Sequence, residues 1–121
     1  MEEKLSDSVK FYYPRFDRKK IVEYLRAKVP ELKEKIPLVR LILFGSYAKN
    51  RHTAASDIDI LIIYKGNKLQ DDYHIIWDTL NLPEVQLHIY TLEEFKKLKS
   101  SGSSFPKEAE NGIIVYSDEA E

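Results

Sequence analysis

The chain has 121 residues, a length that fits one domain with a modest core. Its 19 basic and 20 acidic side chains nearly cancel, so it lacks the basic excess typical of nonspecific nucleic-acid binding. Because there is no cysteine, disulfides and cysteine metal sites are excluded, and we expect a cytoplasmic location. We expect neither a signal peptide nor a membrane span, because no apolar run approaches the required length.

The first part of the chain predicts an arm and then helical segments. Residues 1–16 mix charged with aromatic side chains, which predicts a short arm or a frayed helix. Asp17 is a suitable N-cap for a helix that runs to about Lys28, because apolar residues follow it at helical spacing. Pro30 would then begin a further turn or short helix, which Pro37 ends.

Short apolar segments predict strands, with helices between them. Leu38 to Phe44 is one such run, and Ile58 to Tyr64 is nearly continuous, as in a strand buried on both faces. Thr91 to Glu94 matches a capping box, which predicts the start of a helix. Strands alternating with helices predict an α/β fold, a small mixed sheet flanked by helices, in one domain over residues 17–121. The other predicted elements are helices near 46–50, 71–80 and 106–111 and strands at 85–90 and 113–116.

Asp57 and Asp59 indicate a functional site more strongly than any other pair of residues in the sequence. They begin an apolar run at positions i and i+2, so in a strand their carboxylates project from one face. Adjacent carboxylates repel each other unless a cation lies between them, and Mg²⁺ prefers such oxygen ligands. The alternative is a turn residue followed by an exposed edge residue, but the apolar run after Asp59 favours a central strand. We therefore predict that both aspartates bind a metal and act in catalysis.

Gly45 and Ser46 form a predicted turn between the first strand and the short helix after it. Free N–H groups at a helix start can bind phosphate, and glycine lets the phosphate approach the backbone closely. The pair also fits an ordinary tight turn, but beside two aspartates it predicts a phosphate cradle. Ser56 would cap or orient the loop before Asp57, and Lys49 is either a cation near the phosphates or a solvated side chain.

Together these residues resemble the DNA polymerase beta-like nucleotidyltransferase superfamily, and especially its minimal nucleotidyltransferases. The family motif is Gly-Ser, a short helix usually carrying Ala-Arg-Gly, and then Ser-Asp-x-Asp at the start of a strand. The resemblance implies transfer of a nucleoside monophosphate, AMP foremost, from a triphosphate to a hydroxyl of a protein or another acceptor. It also implies Mg²⁺ in a two-metal site, with the second metal left open. The matching segments are Gly45-Ser46, Ala48-Lys49-Asn50 and Ser56-Asp57-Ile58-Asp59.

The third acidic residue, which active members carry on the next core strand, is missing at the matching position. Gln86 occupies that place. Its neutral carbonyl cannot accept a proton at neutral pH. Glu84 would lie about 7 Å along the strand on the same face, and His88 could act as a base or a ligand. All three residues stay open for the third position.

The missing acid also raises a second function, an antitoxin-like or regulatory binding module with weak or no catalysis. Minimal nucleotidyltransferases often pair with small helical proteins of the HEPN type, so the resemblance implies such a partner. We expect a partner chain to supply the acceptor-binding part, or else the protein to act alone on a small substrate. The sequence also leaves open that the chain forms a homo-oligomer. The third alternative for its function is a fold that binds neither metal nor nucleotide.

Overall fold

A computed structural model describes residues 18–45, 58–82 and 84–118. The predicted arm over 1–16, the Asp17 cap and the predicted helix over 46–50 lie outside this part of the chain. The described elements in chain order are α1 (Arg18–Lys35), β1 (Leu38–Phe44), β2 (Ile58–Tyr64), α2 (Asp72–Leu80), β3 (Val85–Thr91), α3 (Leu92–Ser100), α4 (Phe105–Glu110) and β4 (Ile113–Ser117).

The described strands form one mixed sheet in the order β3–β2–β1–β4. β1 pairs antiparallel with β2 and with β4, whereas β2 pairs parallel with β3. The central strand β2 is buried from Ile60 to Tyr64, as its apolar run predicts. The predicted α/β fold with a small mixed sheet is therefore confirmed.

The two faces of the sheet have cores of different size. α1 and α2 cover the larger core, where residues such as Leu25 and Ile60 are fully buried. α3 and α4 cover the smaller core, where Phe95 packs with Leu61. Because alternate residues of a strand point to opposite faces, Asp59 lies on the same side as Leu61 and the smaller core.

α1 is longer than the sequence predicts. Instead of ending near Lys28 and giving way to a new turn at Pro30, the helix continues through the proline to Lys35. Val29 and Leu32 are buried while Pro30 is exposed, so the missing N–H falls on the solvent side. Burying two such side chains, at about 1.5–3 kcal/mol each, offsets a cost of about 3 kcal/mol for proline inside a helix. The predicted boundary is wrong because the core outweighs the local signal.

The start of α3 is the predicted capping box. Thr91 Oγ1 accepts the Glu94 N–H at 3.1 Å, and Glu94 Oε1 accepts the Thr91 N–H at 2.9 Å. The box begins the helix directly at the end of β3 and so holds α3 against the sheet. Among the described helices, none combines the length and apolar character that a bilayer crossing requires.

Candidate active site

Gly45 and Asp59 meet where the end of β1 lies beside the start of β2. The antiparallel register pairs Phe44 with Asp59, which brings the next residue, Gly45, against the carboxylate. Gly45 has a φ of 80°, and a Cβ built on it would lie 2.5 Å from Asp59 Oδ2. Glycine is thus required both for the left-handed backbone and for the space beside the carboxylate. The structure brings these two predicted site residues together.

His88 lies next to Asp59 on the same face of the sheet. Its Nε2 is 3.6 Å from Asp59 Oδ1, and its ring contacts Phe44 and Phe105 at centroid distances of 5.1 and 5.3 Å. Nε2 is buried and has no hydrogen-bond partner among the residues that the structure describes. An unpaired buried polar atom costs about 1–3 kcal/mol, so such an atom needs an explanation beyond packing. The Asp59 and His88 side chains as a whole are 25% and 29% exposed.

Gln86 and Glu84 take different positions relative to Asp59. Gln86 stands opposite Asp59 in the parallel register of β2 and β3, and it is exposed. Glu84 precedes β3 with a φ of 54°, and its carbonyl accepts the Ile58 N–H at 3.0 Å. The strand alternation that would align Glu84 with Gln86 therefore does not extend to Glu84. The residue that serves at the third position stays a prediction.

Four predicted site residues, Ser46, Lys49, Ser56 and Asp57, lie outside the described residues. Their predicted roles as phosphate cradle and metal ligand stay predictions. Over the described ranges, no three His, Asp or Glu side chains are grouped so that they could hold a metal. Of the predicted site residues, the structure brings Gly45, Asp59, His88 and Gln86 close together at this end of the sheet.

A second polar cluster lies at the other end of β2. The Tyr64 hydroxyl donates to Asp72 Oδ2 at 2.8 Å and accepts the Leu69 N–H at 2.9 Å. Lys68 Nζ lies 3.1 Å from Asp72 Oδ2 and 3.6 Å from Glu94 Oε1. Burial raises the pKa of Tyr64, and its bond to Asp72 adds to the rise. Burial lowers the pKa of Lys68, but the two carboxylates outweigh it and the pKa lies above its ordinary value.

Comparison with known proteins decides the family. A model of the nucleotidyltransferase domain family matches residues 19–116, which is most of the chain. The chain belongs to this nucleotidyltransferase family. The resemblance to minimal nucleotidyltransferases, which the Gly-Ser and Asp-x-Asp segments indicated, is thereby confirmed.

Relatives of this nucleotidyltransferase domain occur in Methanocaldococcus jannaschii. "Putative protein adenylyltransferase MJ0126" is 41% identical over 76 residues, which are 63% of this chain and 68% of the relative. "Putative protein adenylyltransferase MJ0128" is 48% identical over 42 residues, which are 35% of this chain and 43% of that relative. The crystal structure of a "putative nucleotidyltransferase" from Sulfolobus solfataricus has a TM-score of 0.55, covers 84% of this chain and 85% of its own, and is 19% identical. At that identity the structural match shows the shared fold.

The sequence did not predict that the His88 ring would be packed against Phe105 with its Nε2 buried beside Asp59. The residue itself stood among the candidates, but its contact with Phe105 depends on α4 packing across the sheet. No local pattern around His88 signals that its Nε2 becomes buried beside a carboxylate.

Proposed function

We propose that this nucleotidyltransferase domain transfers a nucleoside monophosphate, AMP foremost, from a triphosphate to a hydroxyl of a protein or another acceptor, with Mg²⁺. The contact between Gly45 and the Asp59 carboxylate carries the proposal, because it sets the glycine of the predicted phosphate-binding turn against a predicted metal ligand. The names of the two relatives support AMP as the group and a protein as the acceptor.

The residues at this end of the sheet fit a divalent cation bound with a triphosphate. Asp59 offers a charged oxygen and Gln86, opposite in register, offers a neutral carbonyl oxygen. Asp57 would add the second carboxylate that the motif predicts. The cation would neutralise charge on the phosphates during transfer. Gly45 keeps space beside Asp59 Oδ2, where any Cβ would collide.

The proposed reaction is a substitution at the α-phosphorus. The acceptor oxygen bonds to that phosphorus, the bond to the oxygen that bridges the α- and β-phosphates breaks, and pyrophosphate leaves. The hydroxyl proton passes to a carboxylate of the site or to solvent, because the Gln86 amide cannot accept it. Positioning and charge stabilisation would therefore contribute most of the rate, with little from a general base.

A label-transfer assay tests this proposal. Purified protein is incubated with Mg²⁺, candidate acceptor proteins and ATP labelled either at the α- or at the γ-phosphate. We expect α-label on an acceptor with release of pyrophosphate, no transfer of γ-label, and no transfer by Asp59→Asn. Intact ATP binding without α-label on any acceptor would contradict catalysis.

The exposed Gln86 opposite Asp59 favours a second candidate function, a binding module that partners a small helical HEPN-type protein. In that case the site holds the nucleotide and the partner but turns over slowly or not at all. Co-purification with a small helical protein encoded beside this chain tests it, and recovery of the chain alone would count against it. Either function would be carried out in the cytoplasm, a compartment in keeping with the absence of cysteine.

A further inference from the structure

We infer that His88 is a metal ligand, and that with Asp59 it forms a mixed nitrogen–oxygen site that prefers a first-row transition ion such as Mn²⁺ to Mg²⁺. The inference rests on the proposed function, which places a divalent cation at Asp59. It names the ion class and selects His88 among the three residues considered for the third position.

The spacing of the two ligand atoms supports chelation. His88 Nε2 and Asp59 Oδ1 are 3.6 Å apart, beyond the upper limit of about 3.2 Å for a good N–H···O hydrogen bond. Two ligands that each lie about 2.0–2.2 Å from one ion are separated by about 2.8–3.8 Å when they subtend 90–120°. The observed distance lies within that range, toward its wide-angle side, so one ion can contact both atoms.

The surroundings of His88 hold its Nε2 toward Asp59. The ring contacts Phe44 edge-on and Phe105 at a tilt, so rotation away from the carboxylate would break both contacts. Nε2 is buried and finds no hydrogen-bond partner within the described ranges, and an ion would satisfy it. The carboxylate presents its other oxygen, Oδ2, to Gly45, where only a glycine leaves room.

The chemistry of the ligand set selects the ion class. Mg²⁺ takes oxygen ligands almost exclusively, whereas imidazole nitrogen suits first-row transition ions such as Zn²⁺ and Fe²⁺. Mn²⁺ stands at the weak end of that series, but it accepts imidazole more readily than Mg²⁺ does. Gln86 opposite Asp59 is neutral where an acid would strengthen purely electrostatic binding. A neutral nitrogen from His88 then matters more for binding, and it favours the transition ion over Mg²⁺.

The test measures metal binding directly. Mn²⁺ is added to the full chain with inorganic triphosphate, which contains no nitrogen. Electron spin-echo spectroscopy then detects imidazole nitrogen coupled to the ion, while competition calorimetry gives the affinities for Mn²⁺ and Mg²⁺. We expect nitrogen coupling in the wild type and its loss in His88→Gln. The preference for Mn²⁺ over Mg²⁺ should fall by about tenfold or more in that variant.

Two further variants guard against a general loss of folding. His88→Phe keeps an aromatic ring against Phe44 and Phe105 but has no ligand atom, and it should lose the coupling and the preference as His88→Gln does. His74→Gln removes an exposed histidine of α2, which lies 3.1 Å from Asp78, and should leave both readouts unchanged.

The metal ligation by His88 and the proposed transferase activity can fail independently of each other. If the preference for Mn²⁺ over Mg²⁺ is the same in the wild type and in both His88 variants, and the wild type shows no nitrogen coupling, the inference is overturned. His88 would then be a packing residue beside Asp59. Transfer of α-label in Mg²⁺ would in that case still support the proposed function. Nitrogen coupling that depends on His88, found together with no α-label transfer, would support the metal site and contradict the proposed transferase.

Discussion

The two ends of β2 differ in whether their buried polar groups have hydrogen-bond partners. At the Tyr64 end, the buried hydroxyl and the buried Asp72 carboxylate both have partners, one of them the half-exposed Lys68 ammonium. At the Asp59 end, the His88 Nε2 is buried without a hydrogen-bond partner in the described part of the chain. Stability alone favours pairing every buried polar group. We therefore expect the Tyr64 end to serve mainly the stability of the fold, and we propose that the Asp59 end serves ligand binding.

The Tyr64 end attaches two helices to the sheet. Tyr64 is fully buried at the end of β2, and Asp72 is the first residue of α2. Lys68 then connects Asp72 with Glu94 in the first turn of α3. This end should therefore govern the free energy of unfolding, whereas the Asp59 end should govern nucleotide transfer.

The largest expected effect is on catalysis at the Asp59 end. Asp59→Asn removes the charge that would hold the cation, which is expected to lower the transfer rate by about a thousandfold, or several kcal/mol. The free energy of unfolding should change by less than about 1 kcal/mol, because the side chain is partly exposed and keeps its size. Transfer kinetics and urea unfolding measure the two effects. The matched control is Asp71→Asn, which changes an exposed acid before α2. Equal transfer rates for the two variants would contradict a special role of the Asp59 end in transfer.

The next effect is on stability at the Tyr64 end. Asp72→Ala leaves the buried Tyr64 hydroxyl and the Lys68 ammonium without their carboxylate, which is expected to cost about 2–3 kcal/mol of unfolding free energy. Transfer activity per folded molecule should stay unchanged. The control is Asp78→Ala on the same helix, whose exposed pair with His74 should contribute less than about 0.5 kcal/mol. Similar losses for the two variants in urea unfolding would show that the Tyr64 cluster is not structural.

A smaller gain is expected from restoring the third acid. Gln86→Asp places a carboxylate opposite Asp59 that can accept the proton of the acceptor hydroxyl, so the transfer rate in Mg²⁺ should rise by at least about tenfold. Gln86→Asn, which adds no charge, should give no gain. A folded Gln86→Asp protein that transfers no faster than the wild type would favour the binding module over the enzyme.

The smallest effect is confined to alkaline pH. The pKa values of Tyr64 and Lys68 are raised above their ordinary 10.0 and 10.5, so between each ordinary value and the raised one the folded state binds more protons than the unfolded state. Their stabilisation is complete below about pH 10 and is lost as the pH rises through the folded values. Tyr64→Phe should make this loss shallower in unfolding curves from pH 7 to 11, whereas the exposed Tyr73→Phe should not. Stability that rises over this window would contradict the assignment.

Local signals were sufficient to predict most of the sheet and to single out two residues of the candidate site that lie together in the structure. The runs at 38–44 and 58–64 became β1 and β2 because their apolar patterns need burial on both sides. The capping box at Thr91 depends on residues three apart, so it too can be seen in sequence. Gly45 and Asp59 were predicted from a motif whose members lie close along the chain, and the register of β1 and β2 brings them together.

What sequence could not predict depends on contacts between distant segments. Pro30 stays inside α1 because the core buries its neighbours, which a local rule for proline cannot weigh. Asp72 lies at the start of the predicted helix near 71–80, but no local pattern indicates that its carboxylate accepts the Tyr64 hydroxyl across the turn. The burial of His88 Nε2 depends on the packing of its strand and of Phe105 from α4, which no pattern near His88 reveals.

The most direct test of the contrast is the stabilisation that metal-bound ATP gives to each end's variant in urea unfolding. A ligand at about 100 times its dissociation constant adds about 2.7 kcal/mol to a protein that binds it only when folded. The wild type and Asp72→Ala should gain the same increment in unfolding free energy, while Asp59→Asn should gain none. An increment for Asp59→Asn equal to that of the wild type would contradict this prediction.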